Sequence, residues 1–335
     1  MSAPLPVLID VDTGYDDALA LLLALRSPAL HVRGVTCVAG NQRLPQVVTN
    51  TLKLMDVLGA STPVAAGMDR ALVETPRAPL TLHGRDGMAD LDLPAPRATL
   101  QPEHAVELMR RTLTDADAPV TLICLAPLTN IAVFLRMYPA LHAKIAEIVV
   151  MGGTLAAHGN TSPLAEFNVR ADPEAAAVVL ASGLNVRLYP LDVFRAIHFS
   201  REEAAALAAS ERPAAQIAGR ILTFACNFFD RDTALVGDAG TVATVIDPAA
   251  CRLEPYPVTV ELGAGAARGM TVLDRRTPGQ RIRNDDWWTT SPAEINVITA
   301  VDAERYRTLL RDTWLAPNVQ SARPRAATAQ KDPFP

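Results

Sequence analysis

An α/β fold, with an open, mostly parallel sheet flanked by helices, is what this sequence predicts, and three observations predict it. Short β-branched runs alternate with helix-length apolar segments along most of the chain, the pattern of βαβ units. Several runs end in Gly, Asn or Pro, the punctuation of strand-to-helix turns. The first run, Val7 to Ile9, and the segment ALALLLALRSP after Asp17 are apolar on almost every side, as a buried strand and a helix packed on a sheet require.

The elements follow in order. LHVRGVTCVAGN reads as a second strand ending at Gly40 and Asn41, Gln46 to Leu58 as a helix and Pro63 to Ala66 as a short strand. Between Glu74 and Arg97 the chain is irregular, with LHGRDGM at 82–88; a long insertion of this kind is commonly a functional loop. A helix is expected over Glu103 to Leu113, a strand ending near Leu125 followed by a helix, and a strand over Ile145 to Gly153. A loop holding Asn160, Glu166 and Asn168 precedes a helix starting near Pro173, and a strand runs from Val186 to Pro190. Arg201 to Phe229 is largely helical, and Asp238 sits between apolar runs, where an unpaired carboxylate is costly. Pro255 to Asp274 and Ile295 to Leu315 read as a strand or hairpin and a closing helix. Trp287 and Trp288 read as edge packing or a subunit contact, with stacking on a base as the alternative.

At 335 residues and 49% hydrophobic composition, the chain can bury a large core. It is read as one domain over 1–316, with a mobile tail at 317–335. A net charge of −5 without a basic stripe argues against a nucleic-acid partner. No apolar run approaches the roughly 18 residues of a membrane span and no secretory signal is evident, so a cytoplasmic location is expected. Cys37, Cys124, Cys226 and Cys251 lack metal-ligand spacing and read as ordinary buried thiols.

The chemistry concentrates in DVDTGYDD, Asp10 to Asp17, on the turn between the first strand and helix. Gly14 is expected to supply the conformational freedom of that turn, and Asp16 and Asp17 complement the helix dipole. Capping needs one acid, and four are present. Carboxylates so crowded repel, and a hard divalent cation relieves the repulsion most economically. Asp10 and Asp12 alternate along a strand, so Asp12 is the one expected to face the turn. An EF-hand loop counted from Asp10 fails, because its twelfth position is Leu21. An aspartyl-phosphate phosphotransferase with Asp10 as nucleophile stays open, although Lys53, Lys144 and Lys331, the chain's lysines, are poorly placed to neutralise a phosphoryl group. Asp12, Asn41, Leu125 and Met151 all fall at strand carboxyl ends, where ligands bind in such sheets.

From about Val7 to Leu315 the chain resembles the inosine-uridine-preferring nucleoside hydrolases. The resemblance rests on DVDTGYDDALAL, VAGNQ, PLTNIA, VVMGG, GNTSPLAEFNVRADPEAA and VATVIDP, the first and fifth being long enough to be specific. It implies a Rossmann-related sheet, a Ca²⁺ at the bottom of a ribose pocket and hydrolysis of an N-glycosidic bond through an oxocarbenium-like transition state. By this likeness Asp12, Asp17, Asp238 and the main-chain carbonyl of Leu125 bind the ion. Asp12 acts as general base with Asn41 near the attacking water; Asp16, Asn160, Glu166 and Asn168 grip ribose hydroxyls, and Met151 lines the pocket. The substrate is a small nucleoside, and a homodimer or homotetramer is the expected assembly.

One position departs from the family. Many members carry His directly before the last calcium Asp to protonate the leaving base, and here Gly237 stands there. Three accounts are open: His83 serves instead; aromatic stacking by Phe167, Phe228 or Phe229 activates the base; or the leaving group needs no proton. Alternatively the activity is residual, and a catalytically weakened ribose-binding protein of the same fold, motivated by Gly237, is the rival reading.

Overall fold

The computed structural model describes residues 3–75, 81–276 and 293–317. The expectations for Trp287, Trp288 and the tail beyond 317 lie outside these residues. The N-terminal run forms β1 (Leu5–Val11), and α1 (Tyr15–Arg26) is buried continuously from Asp17 to Ala24. Then come β2 (Leu30–Cys37), α2 (Leu44–Leu58) and β3 (Val64–Ala66). After the long irregular stretch follow α3 (Ala105–Thr114), β4 (Val120–Cys124), α4 (Thr129–Met137), β5 (Ile145–Met151), α5 (Phe167–Ala171), α6 (Pro173–Leu180) and β6 (Val186–Tyr189). The C-terminal part holds α7 (Leu191–Phe194), β7 (His198–Ser200), α8 (Arg201–Ala208), α9 (Pro213–Phe228), β8 (Thr233–Leu235) and α10 (Asp238–Ile246). It closes with β9 (Cys251–Val260), β10 (Thr271–Leu273), β11 (Ala293–Val301) and α11 (Ala303–Leu315).

The main sheet runs β10-β9-β11-β6-β5-β4-β1-β2-β3, parallel from β11 to β3, with β9 and β10 antiparallel at one edge. The expected hairpin is thus present, but its first strand begins at Cys251, because Cys251 to Pro255 pair with β11. β1 pairs with β2 on one side and β4 on the other. The chain therefore leaves β3 and returns across β1 to start β4, and strand order reverses there. Past the carboxyl ends of β1 and β4 a crevice must open, since the connections after them diverge to opposite sides. Helices α1, α2, α9, α10 and α11 pack one core and α3, α4 and α6 the other.

Alternation along β1 separates the two acids as expected. Asp10 is fully buried, accepting from Thr36 Oγ1 at 2.5 Å and Asn130 Nδ2 at 2.8 Å. Cys37, Cys124 and Cys226 are buried free thiols, whereas Cys251 is only half-buried. Among the described residues no helix is long and apolar enough to cross a membrane.

Candidate active site

The crevice is a cavity of about 300 Å³. The turn after β1 builds its floor. Asp17, in the first turn of α1, accepts from the backbone N–H groups of Asp12 at 3.2 Å and Gly14 at 2.9 Å, which locks the turn. Gly14 itself has φ −90°, open to any residue; the expected need for unusual backbone freedom is not met. Glycine is required by close approach instead: a Cβ there would lie 2.4 Å from His83 Nδ1 and 2.8 Å from Asn41 Nδ2.

Asp16, Asp17 and Asp238 each offer a carboxylate oxygen within 4.8 Å of the other two. Asp238 opens α10, so the starts of α1 and α10 meet here. Asp12 lies beside them, fully buried, and its oxygens accept from the Asn41 backbone N–H at 2.6 Å and side-chain Nδ2 at 3.1 Å. The same Nδ2 reaches Asp17 Oδ2 at 3.3 Å, tying the two acids together. Asp16, next to Asp17 in the first turn of α1, stands within the acidic trio and also lines the cavity.

Burial and mutual repulsion raise Asp12, Asp17 and Asp238. Asp17 is pushed up to about 7, by burial first and then by Asp16. Asp12 is raised by burial and the Asp17 charge, and Asp238 by burial and the Asp16 charge. Asp16 Oδ1 and Asp238 Oδ1 are buried without a hydrogen-bond partner among the described residues. Buried carboxylate oxygens are seldom left so, and hard oxygen donors around an ion-sized gap fit a divalent cation.

The sugar-facing wall comes from the loop before α5. Glu166 is buried and caps α5, accepting from the backbone N–H of Asn168 at 2.8 Å, Val169 at 3.0 Å and Gly153 at 3.0 Å. Burial still pushes its carboxyl up to about 7. Asn168 Nδ2 donates to the carbonyls of Leu125 at 2.9 Å and Met151 at 3.2 Å, so both strand-end residues are drawn into one site. Asn160 Oδ1 accepts from Phe167 N–H at 2.8 Å. Asn41, Leu125, Met151, Asn160, Glu166 and Asn168 all line the cavity.

His83, from the irregular stretch, is buried in the same cavity, its Nδ1 3.9 Å from Asp16 Oδ1. The Tyr15 backbone N–H donates to that Nδ1 at 3.3 Å, and the two rings lie tilted at 36° with centroids 4.7 Å apart. Burial lowers the His83 pKa, against the opposing pull of Asp16. Phe167 and Phe229 line the cavity; Phe228 does not, and stacks on Phe224 instead. Gly237 has φ +56°, and a Cβ there would come within 2.9 Å of both Asp16 Cβ and Phe194 Cζ. Phe194 therefore fills the space a side chain at 237 would take. Asp10 and the lysines Lys53 and Lys144 are absent from the lining, which leaves the phosphotransferase alternative without an accessible nucleophile. Tyr15, Phe194, Arg195 and Arg231 line the cavity without having been singled out. Only Tyr15 carried a signal, its place inside the acidic motif.

The cavity, bounded by acids and amides, lies at the switch point of an open, mostly parallel sheet, where ligands bind in α/β folds. The chain belongs to the inosine-uridine preferring nucleoside hydrolases, whose family model matches residues 7–308. It is 38% identical over 276 residues to a pyrimidine-specific ribonucleoside hydrolase, RihA, of Citrobacter koseri, covering 81% of this chain and 88% of that protein. A plant nucleoside hydrolase, PpNRh1, superposes with a TM-score of 0.86 at 26% identity, over 94% of this chain and all 100% of that one. An inosine-guanosine nucleoside hydrolase superposes with a TM-score of 0.81 at 30% identity, over 92% and 98%. The fold and catalytic class are shared across these relatives, while the bases in their names differ.

Proposed function

We propose that this protein is a Ca²⁺-dependent ribonucleoside hydrolase that converts a nucleoside and water to ribose and free base. The observation that carries the reading is the acidic cluster with its two orphaned carboxylate oxygens, Asp16 Oδ1 and Asp238 Oδ1. Asp12, Asp17, Asp238 and the Leu125 carbonyl would hold the ion, with Asp16 beside them. A donor set of carboxylates and a carbonyl drawn from distant segments suits calcium's flexible shell better than magnesium's strict octahedron. When bound, the ion supplies positive charge that acidifies water and orients a sugar diol.

The protein's own groups do the rest. Asp12 accepts the proton of the attacking water, and Asn41, bonded to both its oxygens, holds it in position. Asp16, Asn160, Glu166 and Asn168 grip the ribose hydroxyls, so that C1′ is held beside that water. Negative charge around the sugar favours the oxocarbenium character that grows there as the glycosidic bond breaks. Because Tyr15 N–H occupies His83 Nδ1, the neutral ring carries its proton on Nε2 and offers it as a donor to the leaving base. A homodimer or homotetramer in the cytoplasm completes the proposal, with light scattering as the check on assembly.

The test is ribose release from a panel of nucleosides by chelator-stripped protein, before and after calcium is added back. Release that depends on calcium supports the reading. Calorimetric nucleoside binding without ribose release overturns it in favour of a weakened ribose-binding protein, the rival that Gly237 motivates.

A further inference from the structure

The geometry points to Arg231 as the residue that takes up the charge of the departing base, and so selects bases that leave as delocalised oxyanions. This inference rests on the hydrolase reading of the same cavity. The charged residues of the lining differ in burial. Asp238 and Glu166 are each 2% exposed, whereas Arg231, in the same lining, is exposed. Heterolysis of an N-glycosidic bond separates charge, with positive charge growing on the sugar and negative on the base.

Arg231 is placed for that role. Its guanidinium lies over the ring of Phe229, which also lines the cavity, 5.7 Å from the centroid. Its backbone is fixed on both sides: its N–H donates to the Cys226 carbonyl at 2.9 Å, and its carbonyl accepts from Arg201 Nη2 at 3.0 Å. No ion pair to a carboxylate engages its side chain among the described residues, so its charge is available to a ligand. Arg195, the other arginine of the lining, is turned to the His158 carbonyl at 3.3 Å. Position 237, meanwhile, cannot bear an acid, because its φ is +56° and Phe194 fills the space.

The step balances with the base leaving as an anion, the His83 Nε2–H serving only as a hydrogen-bond donor to it. The C1′–N bond breaks with its electron pair passing to the base, which spreads the charge onto its carbonyl oxygens beside Arg231. Water forms the new C1′–O bond, its proton passes to the general base, and the base anion takes a proton after departure. Oxo bases such as uracil suit this route, and cytosine, a poorer anion, suits it less.

The test compares Arg231→Gln and Arg231→Lys with the unaltered protein on uridine, cytidine and p-nitrophenyl riboside, whose leaving group needs no help. Arg231→Gln is expected to lower kcat on uridine by about 10²-fold, as loss of one preorganised charge-stabilising donor does, with a loss at least about ten times smaller on p-nitrophenyl riboside. Arg231→Lys, which keeps the charge, should recover most of the uridine rate. Equal losses on the two substrates, no loss on uridine, or a lysine no better than glutamine overturns the assignment. An unaltered protein that cleaves none of the three overturns the hydrolase reading instead.

Discussion

Replacing Asp238 by Asn should have opposite effects on stability with and without calcium. Three carboxylates whose oxygens lie within 4.8 Å of one another repel by about 3.5 kcal/mol per ionised pair, at an effective dielectric of about 20. Asp238→Asn keeps the shape and removes two of those pairs. Part of the repulsion is already relieved by proton uptake, since burial and Asp16 raise the Asp238 carboxyl. A net gain of about 2–3 kcal/mol in chelator at pH 8 is therefore expected, a rise in Tm of several degrees. In calcium at a hundred times its Kd, the unaltered protein gains about 2.7 kcal/mol, and the variant, lacking a ligand, gains much less. Thermal unfolding followed by circular dichroism, in chelator and across a calcium titration, measures both. The reasoning is refuted if the variant is the less stable protein in chelator, or if calcium raises both melting temperatures equally.

Three further outcomes follow from the same geometry. Asp12→Ala should reduce ribose release by at least about 10³-fold on every nucleoside tested, since it removes the general base from the reacting water; retained turnover in a steady-state assay contradicts the role. Gly237→Ala should cost about 1–3 kcal/mol, through the left-handed backbone and the contact with Phe194, and urea denaturation reads the loss directly. For Asp10, burial pushes the carboxyl up to about 7 from an ordinary 3.8. The folded chain then holds a proton the unfolded chain has lost, so stability falls as pH rises from about 4 to 7, by up to about 4 kcal/mol. Asp10→Asn in chelator should flatten this slope and become the more stable protein at pH 8; an unchanged slope in denaturation midpoints shows Asp10 is not its source.

Much of this architecture was legible because local rules and tertiary packing agree. The βαβ alternation, the all-round apolar α1 and the acidic turn each state their role in short windows of sequence, and Asn41, Leu125 and Met151 announced themselves as strand ends. What was hidden depends on approach between distant segments. The need for glycine at position 14 comes from His83, 69 residues further along and in a stretch with no periodicity. Asp16 joins Asp238 because of how α1 and α10 are rotated against one another, which no spacing reveals. Arg231 follows two phenylalanines in a polar turn and is indistinguishable in sequence from a solvated surface residue. Phe194 reads as core, and its effect on position 237 emerges only once α7 is packed beside α10.

The central claim is that acids far apart in the chain gather around one divalent ion that in turn holds a ribose diol. A crystal grown with calcium and a ribose-like iminosugar, with anomalous data collected for the ion, tests it most directly. The account predicts a single ion about 2.3–2.6 Å from oxygens of Asp12, Asp17, Asp238, the Leu125 carbonyl and two vicinal hydroxyls of the inhibitor. An inhibitor bound in the cavity with no ion among those acids would contradict it.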